Sequence, residues 1–344
     1  MPRSLTHTFA RAVVAAIAVF IALPTAAAFA DAAAPSDYQS RVVSITPATP
    51  ALHARIIGGD SFIELRVDKG TAVDVAGYSS EPFIRYLADG TVQENRASAS
   101  WYTSRSVLGS PLPPGFTAAA PPAWHTVSTD GVYAWHDHRT HWMYNGRPPG
   151  KRPGDVVLEG TVPLTVNGTK VTVEVQSTWQ PAPSRVPAAI GGLLGLAVAL
   201  PLVRGRWAWW RLLPGAAVAA LATVLGAWQF FGLPSETGPR PLWAVLPAGA
   251  LVAAAAVWLL RRRGTSPALG ADAALLLCGV YLVWWVWLRR NGLRRAVLPT
   301  DAPWWLDRLG SGAALTCGLV MGAVGLVALV RAIAAPGAAS PVPS

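Results

Sequence analysis

Cysteine is almost missing from this chain. There are two in 344 residues, Cys278 and Cys317, and both fall inside long apolar stretches. No disulfide framework is available to residues 31–185, and a domain of that size must hold itself together by core packing. The same absence excludes thiol nucleophiles, zinc–cysteine sites and blue-copper sites there, since each needs a cysteine ligand. Charge is also scarce, at 13% of residues against 52% hydrophobic. That balance is too apolar for an ordinary soluble protein and far from that of a disordered chain. Beyond residue 185 the only acids are Glu236, Asp272, Asp301 and Asp307, and no histidine occurs after His141. Ion and proton paths through membranes are marked by intramembrane histidine, methionine or acid clusters, so their scarcity weighs against a transporter component.

What charge there is sits unevenly. The net +10 divides into +2 for residues 1–30, −1 for residues 31–185 (13 Lys+Arg against 14 Asp+Glu) and +9 for residues 186–344 (13 Arg against four acids). A nearly neutral middle section presents no surface for nucleic acid. The first segment has Arg3 and Arg11 ahead of an apolar run, then Pro24 and Ala28-Phe29-Ala30, the three-part layout of a secretory signal peptide over residues 1–30. Its alternative is an uncleaved anchor helix. Either form exports the section that begins at Asp31.

Residues 31–185 read as short strands separated by turns. Gly58-Gly59-Asp60, Ala88-Asp89-Gly90, the segment 128–131 and Asn167-Gly168 each lie between alternating apolar runs, and the last is the strongest hairpin signal because both residues tolerate positive φ. Residues 111–122 are proline-rich and read as a long loop. Some eight strands without an amphipathic helix argue for an antiparallel, Ig-like β-sandwich.

The segment Trp135-His136-Asp137-His138-Arg139-Thr140-His141-Trp142 holds three of the six histidines. On a strand, His136 and His138 share one face about 7 Å apart, with Trp135, Asp137 and Arg139 on the other. Two imidazoles so placed can converge on one metal ion, with His141 or His125 completing the set. Nitrogen-rich ligation favours Cu(II) or Zn(II). The alternative is a polar-aromatic layer of the core, in which the rings are hydrogen-bonded to neighbours as buried polar groups must be. No activated serine, paired carboxylates or zinc-hydrolase helix motif accompanies the histidines, so the sequence does not point to an enzyme. A second polar set, Tyr78, Glu81, Arg85 and Asn95 with Arg96, suggests either a ligand or partner groove or a salt bridge at a sheet edge.

Residues 186–335 contain five apolar stretches, 186–203, 212–233, 241–260, 271–288 and 312–333, each long enough to cross a bilayer as a helix. Eleven of the sixteen tryptophans lie between Trp207 and Trp305, mostly at stretch ends, as in interfacial belts. Five spans after an exported domain place the C-terminus in the cytoplasm, with residues 336–344 as a disordered tail. The positive-inside tendency is then weak. Arg204, Arg206, Arg211, Arg261, Arg262, Arg263 and Arg331 fall inside, but Arg240, Arg289, Arg290, Arg294, Arg295 and Arg308 fall outside. Either 298–309 lies on the outer surface as an amphipathic element, with Arg289, Arg290, Arg294 and Arg295 meeting anionic headgroups or an acidic envelope polymer, or the span count is off by one.

The ordered set Gly77-Tyr78, Glu81-Pro82, Arg85, Asp89-Gly90, Asn95 and the run from Trp135 to Met143, ahead of a helical tail, resembles a group of exported multi-span membrane proteins from actinobacteria. The resemblance covers roughly residues 38–330, and the alanine-, arginine- and proline-rich, lysine-poor composition agrees with it. It implies architecture and a membrane location and carries over no ligand or reaction. The leading expectation is a non-catalytic multi-pass membrane protein whose outer β domain binds Cu(II) or Zn(II) through His136, His138 and His141. The alternative is an envelope structural or assembly factor with a protein or cell-wall partner.

Overall fold

The computed structural model describes residues 32–60, 62–105, 111–114, 116–117, 120–144, 146–204, 212–262 and 268–334. The expected signal peptide and C-terminal tail lie outside them. The N-terminal half contains β1 (Tyr38–Thr46), β2 (Leu52–Ile57), β3 (Phe62–Val67), β4 (Val73–Ala76), β5 (Pro82–Tyr86), β6 (Val92–Asn95), α1 (Ala99–Thr103), β7 (Trp124–Ser128), β8 (Val132–His136), β9 (Val156–Val166) and β10 (Thr169–Trp179). They form a seven-stranded sheet ordered β1-β10-β9-β4-β5-β6-β7 and a three-stranded sheet ordered β2-β3-β8. The pairings between these strands are antiparallel. An immunoglobulin-type domain divides its strands about evenly, so a split of seven and three lends that narrower likeness no support.

The hairpin expected at Asn167-Gly168 joins β9 to β10, with φ of 47° and 83° at its two residues. Asn167 also accepts at its side chain from Ala72 N (2.9 Å) and donates its own N–H to Ala72 O (2.9 Å), which anchors the tip beside β4. The turn at 128–131 behaves differently from expectation. β7 pairs with β6 and β8 with β3, so this turn carries the chain from one sheet to the other. Gly131, at φ 77°, donates to Gly90 O and accepts from Val67 N, and a Cβ there would strike the Val67 carbonyl. Local sequence marks a turn; only the far-off Gly90 and Val67 decide that it is a crossover.

The two sheets share one core. Ile63, Leu65 and Val67 of β3 and Trp135 of β8 meet Val73, Val75, Ile84, Val92, Val162, Leu164, Val173 and Val175 of the larger sheet. β3 is buried at Phe62, Ile63, Glu64, Leu65 and Val67, beyond what one covered face would give. Its other face is covered too. Phe62 and Ala134 cluster with Ala33, Ile57, Leu233 and Trp243, the last two from the helical half. The three-stranded sheet is therefore a middle layer between the β core and the ends of the helices, which explains its near-continuous apolar pattern.

That helical half comprises α2 (Val186–Arg204), α3 (Leu213–Phe231), α4 (Leu242–Arg262), α5 (Ala268–Leu288) and α6 (Trp304–Ala334). Among the described residues, four helices are long and apolar enough to cross a membrane, and α4 contributes a shorter apolar run, Leu242–Ala255. Exposed Leu193, Val224, Phe231, Val252 and Leu319 give the bundle an apolar outer surface suited to lipid. Inside, α2 and α6 approach closely. A Cβ at Gly191 or Gly312 would strike backbone of the other helix, and Thr316 Oγ1 donates to Gly192 O across the pair (2.8 Å). Small residues at such a seam suit helix packing in lipid.

The arginine-rich connection from α5 to α6 corrects the surface-element expectation. Residues 304–309 are the first turns of α6. Arg289 and Asp307 form a buried ion pair, and Arg308 donates to the carbonyls of Gly292, Arg295 and Ala296. Arg295 donates to Asp37 of the β domain (2.5 Å), and Arg290 lies over the Trp287 ring. Arg289 is thus unavailable to an envelope polymer, Arg308 braces the connection itself, and Arg295 ties it to the β half. Replacing Arg289 by Ala leaves the Asp307 carboxylate buried and unpaired, and should cost about 3–5 kcal/mol. Denaturant unfolding of the detergent-solubilised chain measures this. A variant of near wild-type stability means the pair is not buried in solution.

Candidate metal centre

β8 ends at His136, and the next residues turn instead of continuing the strand. Asp137 sets that turn. Its main-chain oxygen accepts from Thr140 N (3.0 Å) and Thr140 Oγ1 (2.7 Å), and its carboxylate accepts from Arg139 N (3.0 Å). The carboxylate is fully buried, and takes Arg139 Nε at 2.9 Å, Arg139 Nη2 at 2.7 Å and Trp135 Nε1 at 2.9 Å. Burial alone would raise its pKa, but the Arg139 guanidinium and these donors hold it below the usual carboxylate value. Asp137 and Arg139 therefore lie together as an ion pair, with the carboxylate buried and the guanidinium half-buried, instead of lining the far face of a strand. β9 supplies the floor. Gly160 sits so close to the Arg139 carbonyl that any side chain there would collide with it.

The turn gathers the three histidines more tightly than a strand would. Ring centroids lie 5.0 Å apart for His136 and His138, 4.8 Å for His136 and His141, and 5.6 Å for His138 and His141. One ligand nitrogen from each lies within 4.8 Å of the others. Around a single zinc ion at about 2.0–2.1 Å such nitrogens lie roughly 3.4 Å apart. His125, the other candidate for completing the set, is exposed on β7 opposite Glu94 and stands outside the cluster.

Hydrogen bonds orient the two buried rings. His136 is 5% exposed and its Nδ1 lies 2.9 Å from Ser104 O; His141 is 2% exposed and its Nδ1 lies 3.3 Å from Trp142 O. A carbonyl only accepts, so Nδ1 carries the proton in each ring and Nε2 carries the lone pair. Both Nε2 atoms are buried without a hydrogen-bond partner among the described residues. Desolvation, joined by the neighbouring His141, pushes His136 down to about 3, and desolvation with His138 nearby pushes His141 down to about 4. Both rings are neutral at physiological pH, the form that binds metal. Phe62 and Tyr78 pack on this group, at centroid distances of 5.5 Å from His136 and 5.7 Å from His138.

The side chains of the second predicted set are largely engaged with the sheet and with α1. Glu81 accepts from Ser98 Oγ (2.8 Å), Ser100 N (3.0 Å), Ser100 Oγ (2.7 Å) and Ser79 N (3.0 Å). Partial burial would raise its pKa, but the Ser100 and Ser98 bonds outweigh that and hold it at about 2. Asn95 donates to Pro82 O and accepts from Ala97 N and Ala123 N, and Arg85 donates to Gln93 and stacks on Trp124. These residues fasten α1 and the start of β7 to the sheet. Tyr78 alone departs from them. Its hydroxyl accepts from His138 N (3.0 Å) and bonds Ser104 Oγ (2.7 Å), and the Arg139 guanidinium lies 5.0 Å from its ring. Ser104 and Gly160 are the supporting residues that sequence reasoning missed, and Tyr78, expected with the second set, is brought to the histidines only by the fold. Neither Ser104 nor Gly160 has a local signal, because each acts through a contact formed only on folding.

Compared with protein-family models, curated proteins and solved structures, the chain finds no match.

Proposed function

We propose that this protein is a non-catalytic, multi-pass membrane protein whose exported β domain binds one Cu(II) or Zn(II) ion through His136, His138 and His141. The observation that carries the reading is the pair of buried, unpartnered Nε2 lone pairs on His136 and His141, in a cluster where one ring nitrogen from each of three histidines lies within 4.8 Å of the others. A purely structural cluster would satisfy those atoms, since each buried acceptor left alone costs about 1–3 kcal/mol. A metal ion satisfies both at once. The donor set suits it: three neutral nitrogens and no thiolate favour Cu(II) or Zn(II) over Cu(I). The bonds from Nδ1 to Ser104 O and Trp142 O are the outer-shell contacts that fix the tautomer of metal-binding histidines. Support for the membrane location comes from the four apolar helices and their exposed side chains. The signal-peptide layout supports an outward-facing β domain. The actinobacterial resemblance agrees with both.

The test is metal content and calorimetric titration of the full chain in detergent. One equivalent of Zn(II) or Cu(II) should bind to the wild type, and at least a hundredfold weaker binding is expected for His136→Ala/His138→Ala. No uptake by a folded wild type, or equal uptake by the variant, removes the metal assignment.

A further inference from the structure

A cleft of about 650 Å³ opens beside the histidine segment, where the β domain meets the connection between α5 and α6. Tyr38, Trp142 and Trp179 wall it on the β-domain side, and Arg147, Arg294 and Arg295 bring three guanidinium groups to it from both halves of the chain. Its two carboxylates are engaged. Asp37 accepts from Arg295 (2.5 Å) and from Ala296 N (3.1 Å), and Asp60 accepts from Ser36 Oγ (2.6 Å). Arg147 and Arg294 are exposed and have no acidic partner among the described residues. Two free guanidinium groups in one concavity are a set of donors without an acceptor.

We infer that this cleft binds the phosphodiester headgroup of an anionic phospholipid. Guanidinium forks match phosphate oxygens in geometry and charge. The place fits a lipid source. Gln180 and Ala182, which also line the cleft, lead directly into α2, and Arg294 lies six residues past the end of α5, so the cleft lies level with the helix ends. The volume exceeds what a bare phosphate fills and leaves room for a glycerol unit against the aromatic walls. Tyr144, 74% exposed at the rim and packed on Trp142, extends that wall outward. The inference does not depend on a metal being bound.

Calorimetric titration of the full chain in neutral detergent with chelator present tests it. The probes are dioctanoyl phosphatidylglycerol, dioctanoyl phosphatidylcholine and glycerol phosphate. Phosphatidylglycerol should bind at least tenfold tighter than either of the others. Arg147→Ala/Arg294→Ala should weaken that binding at least tenfold, and Arg147→Lys/Arg294→Lys should recover part of it. Arg41→Ala/Lys170→Ala, which removes two exposed charges from β1 and β10, should leave it unchanged. Equal binding of phosphatidylcholine, or an unchanged Arg147→Ala/Arg294→Ala variant, overturns the site. Glycerol phosphate binding as tightly as the lipid overturns the lipid assignment.

Discussion

Metal-free protein is expected to lose several kcal/mol of folding stability as the pH falls from about 6.5 to about 4. In the unfolded chain His136 and His141 take up protons near pH 6.5. In the folded protein burial keeps them neutral down to about 3 and about 4. Between those limits the unfolded state binds more protons, so the free energy of unfolding decreases with decreasing pH. The histidine contribution is whole above pH 6.5 and is lost progressively below it. Each unit of separation is worth about 1.4 kcal/mol per group, so two such groups dominate over any single exposed carboxylate. Glu81, held at about 2, adds a loss in the same direction that begins only near pH 4.5. Denaturant unfolding at pH 7.5, 6.0, 5.0 and 4.5 measures the slope. A His136→Gln/His141→Gln variant should show a flatter dependence above pH 4.5. Wild-type stability that is level from pH 7.5 to 5 would show that the rings are not buried as described. Zn(II) should raise stability at pH 7.5 and lose that effect on acidification, because protons compete for the same lone pairs.

Asp137→Ala should be the most damaging single substitution in the site, with a loss of about 3–5 kcal/mol. It strips the acceptor from Arg139, whose side chain is only 16% exposed, and from the Trp135 indole, and it releases the main-chain bond that shapes the turn. A half-buried guanidinium would then remain without its carboxylate. Because the turn carries His138, metal affinity should fall at least tenfold even where the protein still folds. Asp137→Asn keeps an acceptor and the shape, and should do less harm. Thermal unfolding and then metal titration separate the two effects. An Asp137→Ala chain with wild-type stability would mean that Arg139 reaches solvent, and the ion pair would have to be abandoned.

Much of this architecture was legible in local pattern. Period-two alternation and Asn167-Gly168 fix the β9–β10 hairpin, because strand burial and positive φ are local demands. Apolar length alone fixes the helices α2, α3, α5 and α6, since the hydrocarbon core sets the length needed to cross it. β4 escaped notice because four residues carry too little alternation, and α1 because its five are held by Glu81 and Ser98 more than by periodicity. The histidine cluster was visible as composition. Its shape was not: a strand through His138 was the natural reading, and the Asp137 turn replaces it because a buried carboxylate organises four donors around itself.

Residue order suffices for a two-part chain, a β half and then apolar helices, with imidazoles concentrated in one segment of the β half. The fate of the arginines is settled in three dimensions. As a linear run from Arg289 to Arg308 they resemble a charged surface. In the fold Arg289 meets Asp307, Arg295 meets Asp37 some 258 positions away, and Arg308 ties down three carbonyls. Charge pairing depends on distance in space, which a local pattern does not encode. The same reason leaves Arg147 and Arg294 distinguishable from their neighbours only once the two halves of the chain are together.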